Sequence, residues 1–183
     1  GRTSEDVAKL GVIAHDLCDV TVARRPEFLD DDDVLLETVV GVCVGEDDSH
    51  DRYIVINANA PFCDFDKLKD ALKTVPDRAA SVFSARLTKA KMYDENMIAV
   101  NHRGARVAEP LSECSRIVED CGCWYVFTKD SFLETGTFIG HSYGIWPISD
   151  IERITLNTNQ DILHAEMITA FIQSCQESAS CQN

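Results

Sequence analysis

The amino-acid sequence predicts an α/β fold, a mainly parallel, Rossmann-like sheet with helices on both faces. Helix-like and strand-like segments alternate along its length. Segments 53–57, 80–85 and 123–127 are apolar at consecutive rather than alternate positions. That is the mark of strands covered on both faces, as parallel strands are. Helical segments separate them, and such alternation returns successive strands in the same direction.

Taken in order, residues 4–17 place Val7, Leu10, Ile13, Ala14 and Leu17 on one helical face behind Ser4, with acids in the first turn. Residues 19–23 are a short strand. The acidic run Asp30 to Asp33 leads into an apolar helix at 33–44, where four like charges suit a helix N-terminus. Neighbouring carboxylates there point different ways, which disfavours a tetra-aspartate metal site. After the strand at 53–57, a helix at 64–74 ends before Pro76. The strand at 80–85 is followed by a mixed, polar excursion at about 86–120. The strand at 123–127 leads into a short helix at 129–135. Segments 143–147 and 152–156 read as short strands, and 159–174 as a closing helix with Ile162, Ala165, Ile168 and Ile172 on its apolar side.

At 183 residues the chain fits a single domain, 1–175, followed by a polar tail at 176–183. A net charge of −14 argues against duplex nucleic acid and against an anionic membrane surface. No apolar run approaches the ~20 residues of a membrane span, and no signal peptide opens the chain. A cytoplasmic protein is expected. The eight cysteines are scattered, without a C-x-x-C pair, and read as small core hydrophobes. Cys121 and Cys123 share a face if they lie on a strand. No further ligands stand at zinc spacing, which favours packing over a metal site. Five histidines make chance Cys–His pairs, and no nucleophile motif surrounds any of them.

In a doubly wound fold, ligands sit beyond the carboxyl ends of the strands. That directs attention to the loops after Asn57 and Ala85 and to the turn after Leu156. No G-x-G-x-x-G and no P-loop occurs, and the chain opens directly on a helix.

Three stretches, in this order and at these distances, resemble the acylneuraminate cytidylyltransferase family. They are Val22-Ala23-Arg24-Arg25-Pro26-Glu27-Phe28-Leu29 with Asp32, then Val55-Ile56-Asn57-Ala58-Asn59-Ala60-Pro61-Phe62, then Ile154-Thr155-Leu156-Asn157-Thr158-Asn159-Gln160-Asp161 with Ala165-Glu166. Gly122-Cys123-Trp124-Tyr125 is similar to the family's Asn-Gly-x-Tyr region. The resemblance implies a nucleotide-diphospho-sugar transferase fold, cut off before its phosphate loop, and transfer of CMP from CTP to an acidic, sialic-acid-like sugar. It implies that Arg25 and Asn57 bind nucleotide and that Asn57 and Tyr125 bind sugar. Thr155 and Asn157 would stand at the two aspartate positions that hold Mg²⁺, with Asp161 nearby. The excursion would support a homodimer. The resemblance assigns no catalytic residue.

Two departures bear on activity. Thr155 and Asn157 bring neutral oxygens where Mg²⁺ prefers carboxylates, so turnover is expected to be impaired. Glu119 and Asp120 stand where the family carries a basic residue, and would repel a sugar carboxylate. A non-catalytic nucleotide- or sugar-binding protein, or a dimerisation partner, on the same scaffold is the alternative.

Overall fold

The run Arg52–Ile56 forms strand β1, and a computed structural model places it in a sheet that has four strands among the described residues. Residues 25–31, 33–75, 79–104 and 108–180 are described, with side chains through Glu177. The helix expected at 4–17 and the strand expected at 19–23 lie outside them. The chain divides into two compact units, residues 1–50 and 51–183.

The described part of the first unit holds a 3₁₀ turn, Glu27–Leu29, and helix α1, Leu36–Glu46. The helix starts later than expected, so the acidic run precedes its first turn, where only Glu37 is acidic.

The second unit holds β1, helix α2 (Phe65–Thr74), β2 (Ser81–Thr88), β3 (Ile117–Thr128), α3 (Lys129–Thr135), β4 (Tyr143–Pro147) and α4 (Asn159–Ser180). Local chemistry sets these boundaries. Asp64 caps α2 by accepting from the N–H groups of Asp66 and Lys67 at 3.0 and 3.2 Å. Thr128 caps α3, which ends on Gly136 in a left-handed conformation, φ 69°.

The sheet order is β1-β3-β2-β4. β3 runs antiparallel to both neighbours, while β2 and β4 are parallel. The sheet is therefore mixed, which corrects the mainly parallel expectation. A continuous apolar run reports burial, and burial is blind to strand direction. β1, β2 and β4 nonetheless share one direction, so their carboxyl ends open on the same edge.

Helices cover both faces. Val126 and Phe127 are consecutive on β3 and point to opposite sides. On one side Val126, Trp124 and Val82 pack with Leu68, Ala71 and Val75 in the main core. On the other, Phe127 stacks on Phe132 of α3 at 5.0 Å between ring centroids and on Phe138 at 5.5 Å. Each fully buried side chain of this size contributes roughly 1.5–3 kcal/mol.

Three further expectations change. β1 is not covered on both faces, since Ile54 and Ile56 are each 39% exposed. β2 runs on to Thr88 and β3 begins at Ile117, so the excursion shrinks to 89–116. Segment 152–156 is not a strand. Arg153 N–H bonds the Ser149 carbonyl and Ile154 N–H the Ile151 carbonyl, which winds 151–153 into a turn. Glu152 buries its side chain there, and this accounts for the loss of extended backbone.

Candidate functional site

At the carboxyl end of β1 the chain leaves the sheet at Asn57. Its N–H donates to the Cys123 carbonyl at 2.9 Å, and its carbonyl accepts from Ala60 N–H at 3.0 Å. Its side-chain amide donates to the Gly122 carbonyl. Asn57 is thus held from β3 as well as from its own loop.

The β3 segment that holds it is irregular. Phe83 of β2 pairs with Tyr125 but Ala85 pairs with Asp120, so residues 121–124 bulge opposite Ser84 alone. Gly122 makes the bulge possible by adopting φ 63°. The buried Ser84 hydroxyl fills the gap, accepting from the N–H groups of Cys123 and Trp124 at 3.2 and 3.1 Å. Asp120 accepts from Gly122 N–H at 2.9 Å and from the Tyr125 hydroxyl at 3.0 Å. Tyr125 is therefore aimed at a carboxylate. Glu119 is paired instead with Arg86 at 3.5 Å and Arg153 at 3.9 Å.

The segment after the 151–153 turn joins the Asn57 loop. Leu156 N–H donates to the Asn59 carbonyl at 2.8 Å. The Asn59 amide donates to Asn157 Oδ1 at 2.9 Å, and the Asn157 amide to Thr155 Oγ1 at 3.1 Å. Asp161 serves α4: its Oδ2 accepts from the N–H groups of Asn157 and Thr158 and from the Thr158 hydroxyl, while Asp161 N–H reaches back to Thr158 Oγ1. This is a capping box. The Thr158 hydroxyl is the main reason the Asp161 carboxyl lies below the usual range.

A half-buried ion pair anchors the whole segment. Glu152 Oε2 accepts from Lys67 Nζ at 2.6 Å and from Ser149 N–H at 2.9 Å. Burial alone would raise its pKa. The Lys67 ammonium and the Ser149 donors outweigh that and lower it.

Thr155, Asn157 and Asp161 line an open cleft of about 370 Å³ with Arg153, His164 and Ile168. Sequence-predicted Asn57, Thr155 and Asn157 are joined through Asn59, and Tyr125 reaches the same bulge through Asp120. Arg25 belongs to the first unit, where its Nε lies 4.0 Å from Asp30. Asn59, Asp120 and Glu152 carry the local geometry and were not among the predicted site residues. The sequence marked Asp120 only as an acid where the resembled family carries a basic residue, and Asn59 only as part of the 55–62 stretch.

The residues at the expected magnesium positions do not fit that ion. The oxygens of Thr155 and Asn157 are neutral and bonded within the ladder, and the Asp161 carboxylate is spent on a cap. Among the described residues no group of three His, Cys, Asp or Glu side chains could hold a metal. Of the described cysteines only Cys114 and Cys123 are buried as packing, while Cys43 and Cys175 are exposed. Cys123 is 1% exposed, and burial above all pushes its thiol up to about 11. Cys63 and Cys121 are raised for the same leading reason. Among the described residues no helix is long and apolar enough to cross a membrane.

The sequence matches no family model, and no curated protein matches it. The fold is similar to that of 4-diphosphocytidyl-2C-methyl-D-erythritol synthase from Anaerococcus prevotii, a solved structure. The TM-score is 0.55 over 91% of this chain and 78% of that one, at 12% identity. The likeness at this identity is one of fold alone.

Proposed function

We propose that this chain is a cytidylyltransferase-like domain that binds CTP and a sialic-acid-like sugar at the shared carboxyl edge of β1, β2 and β4, with impaired turnover. The supporting observation is Asn57, fixed at that edge by the β3 bulge and by a loop bonded to the 155–157 segment. The fold likeness to a cytidylyltransferase points the same way. Arg25 is the basic residue assigned to the nucleotide phosphates, and Asn57 with Tyr125 is assigned to the sugar. In direct transfer a sugar hydroxyl attacks the α-phosphorus, the phosphoanhydride bond breaks, and pyrophosphate leaves. That step concentrates charge on phosphate oxygens, and its stabilisation is commonly the largest part of catalysis. Thr155 and Asn157 supply no charge toward it.

The alternative is a non-catalytic nucleotide- or sugar-binding or dimerisation protein on the same scaffold, favoured by the engagement of Thr155 and Asn157 in the loop ladder. Isothermal titration with CTP and with UTP, followed by a pyrophosphate-release assay with sialic-acid-type sugars, separates the readings. CTP binding with measurable release supports the transferase, and binding without release supports the alternative. No nucleotide binding removes the transferase reading.

A further inference from the structure

The chain from Asn57 to Asn59 and the chain from Thr155 to Asn157 are separate in sequence and joined in space. Three bonds join or brace them. Leu156 N–H to the Asn59 carbonyl at 2.8 Å ties backbone to backbone. The Asn59 amide to Asn157 Oδ1 at 2.9 Å ties side chain to side chain. The Asn157 amide to Thr155 Oγ1 at 3.1 Å closes the ladder on its own segment. Asp161 then fixes the N–H groups of Asn157 and Thr158, at 3.1 and 2.8 Å, so the ladder is rooted in the first turn of α4. At its other end, the half-buried Lys67–Glu152 pair roots the preceding turn on α2.

Two loops bordering a ligand cleft can be held together by a cation shared between carboxylates, or by neutral amide and hydroxyl groups that bond one another. The first arrangement needs charge and leaves the loops repelling one another when the ion departs. The second has no such dependence. Thr155, Asn157 and Asn59 belong wholly to the second: each amide donates to a neutral oxygen, and the Asp161 carboxylate is taken up by the Asn157 and Thr158 N–H groups and the Thr158 hydroxyl.

We propose that the Thr155–Asn157–Asn59 ladder is a metal-independent latch that fixes the Asn57 loop against the start of α4. Ligand binding in the cleft therefore proceeds without a divalent cation. The latch stands apart from the proposed function, while its consequence for binding rests on it.

Two measurements test the latch without any ligand. Thermal unfolding of the intact chain is followed with and without millimolar MgCl₂, in parallel with the Thr155→Asp/Asn157→Asp variant. The expected result is no magnesium-dependent shift for the wild type. The variant, whose paired carboxylates now repel, melts lower and recovers on adding the ion. A saturable rise in the melting temperature of the wild type with MgCl₂, lost in Asn157→Ala, overturns the proposal. Hydrogen exchange is the second. Asn157→Ala should speed exchange of the Leu156 amide about threefold to tenfold, the range for one lost hydrogen bond. The amides of β3 at 124–127 should stay unchanged. Unchanged exchange at Leu156 in that variant shows that the side-chain bond does not hold the loops, and the latch is discarded. CTP titration with EDTA and then with MgCl₂ tests the consequence. Equal affinity supports it, and binding only with magnesium overturns it. Absence of binding in both removes the proposed function and leaves the two ligand-free tests to decide the latch.

Discussion

At the scale of single residues, Asn57 and Glu152 do unlike work in one small volume. Asn57 spends its amide on the Gly122 carbonyl and its backbone carbonyl on Ala60 N–H, which fixes the loop behind it. Replacing it with alanine removes that donor and leaves the Gly122 carbonyl without it. Asn57→Ala is expected to weaken CTP binding about tenfold in isothermal titration, in line with the ~1–1.5 kcal/mol of one hydrogen bond.

Glu152 is 8% exposed and held by Lys67 and Ser149, and its folded pKa is depressed. A depressed carboxyl stabilises the fold above its unfolded pKa, and that stability is lost as pH falls through the folded value. The melting temperature of the wild type should therefore drop more steeply than that of Glu152→Gln below the usual carboxylate range. At neutral pH the Gln variant should be less stable by about 1.5–3 kcal/mol, the worth of charge-assisted bonds. Parallel slopes for the two proteins in melting scans across acid pH would show that the pair does not contribute.

Elements reveal what hydrophobic pattern alone could and could not say. The helices were expected at 64–74 and 129–135, within a residue of their observed ends. Pro76 marked the end of the first in the sequence, and Asp64 and Thr128 cap the two in the structure. Those signals are local, and local signals survive folding. The 152–156 segment failed for the opposite reason. Its apolar alternation suits a strand, but the half-buried bond from Glu152 to Lys67, 85 residues away, pulled the backbone into a turn. The bulge at 121–124 was equally hidden: Gly122 was visible, yet the Ser84 hydroxyl that fills the gap lies on another strand. Ser84→Ala would leave the N–H groups of Cys123 and Trp124 buried without an acceptor. A loss of about 2 kcal/mol is expected in urea unfolding, at the cost of an unsatisfied buried donor. An unchanged midpoint would mean that water or a shifted β3 takes the place of the hydroxyl.

At the scale of the whole molecule, the described residues include exposed apolar side chains that serve neither the core nor the cleft. In the 89–116 excursion, Met97, Ile98 and Val100 are 75, 64 and 59% exposed. Met97 sits at φ 62° in a tight turn organised by Asp94, an unfavourable backbone for a side chain of its size. The proposed homodimer would bury such side chains. Sedimentation velocity on the wild type and on Met97→Asp/Ile98→Asp is the check. A dimer that becomes a monomer in the variant supports this surface as the contact, and a monomeric wild type removes the dimer proposal.

The sequence by itself determined the α/β class and the positions of most helices and strands, which follow from caps, prolines and apolar runs that act over a few residues. The short list of Asn57, Tyr125, Thr155 and Asn157 follows instead from the resemblance to a family. Tertiary structure alone decided that β3 runs against its neighbours, that Asp120 receives the Tyr125 hydroxyl, and that Asn59 bridges to Asn157. Each depends on hydrogen bonds between groups that strand pairing or loop packing brings together. The Asn59–Asn157 bond spans 98 residues, and no local preference encodes a partner so far along the chain.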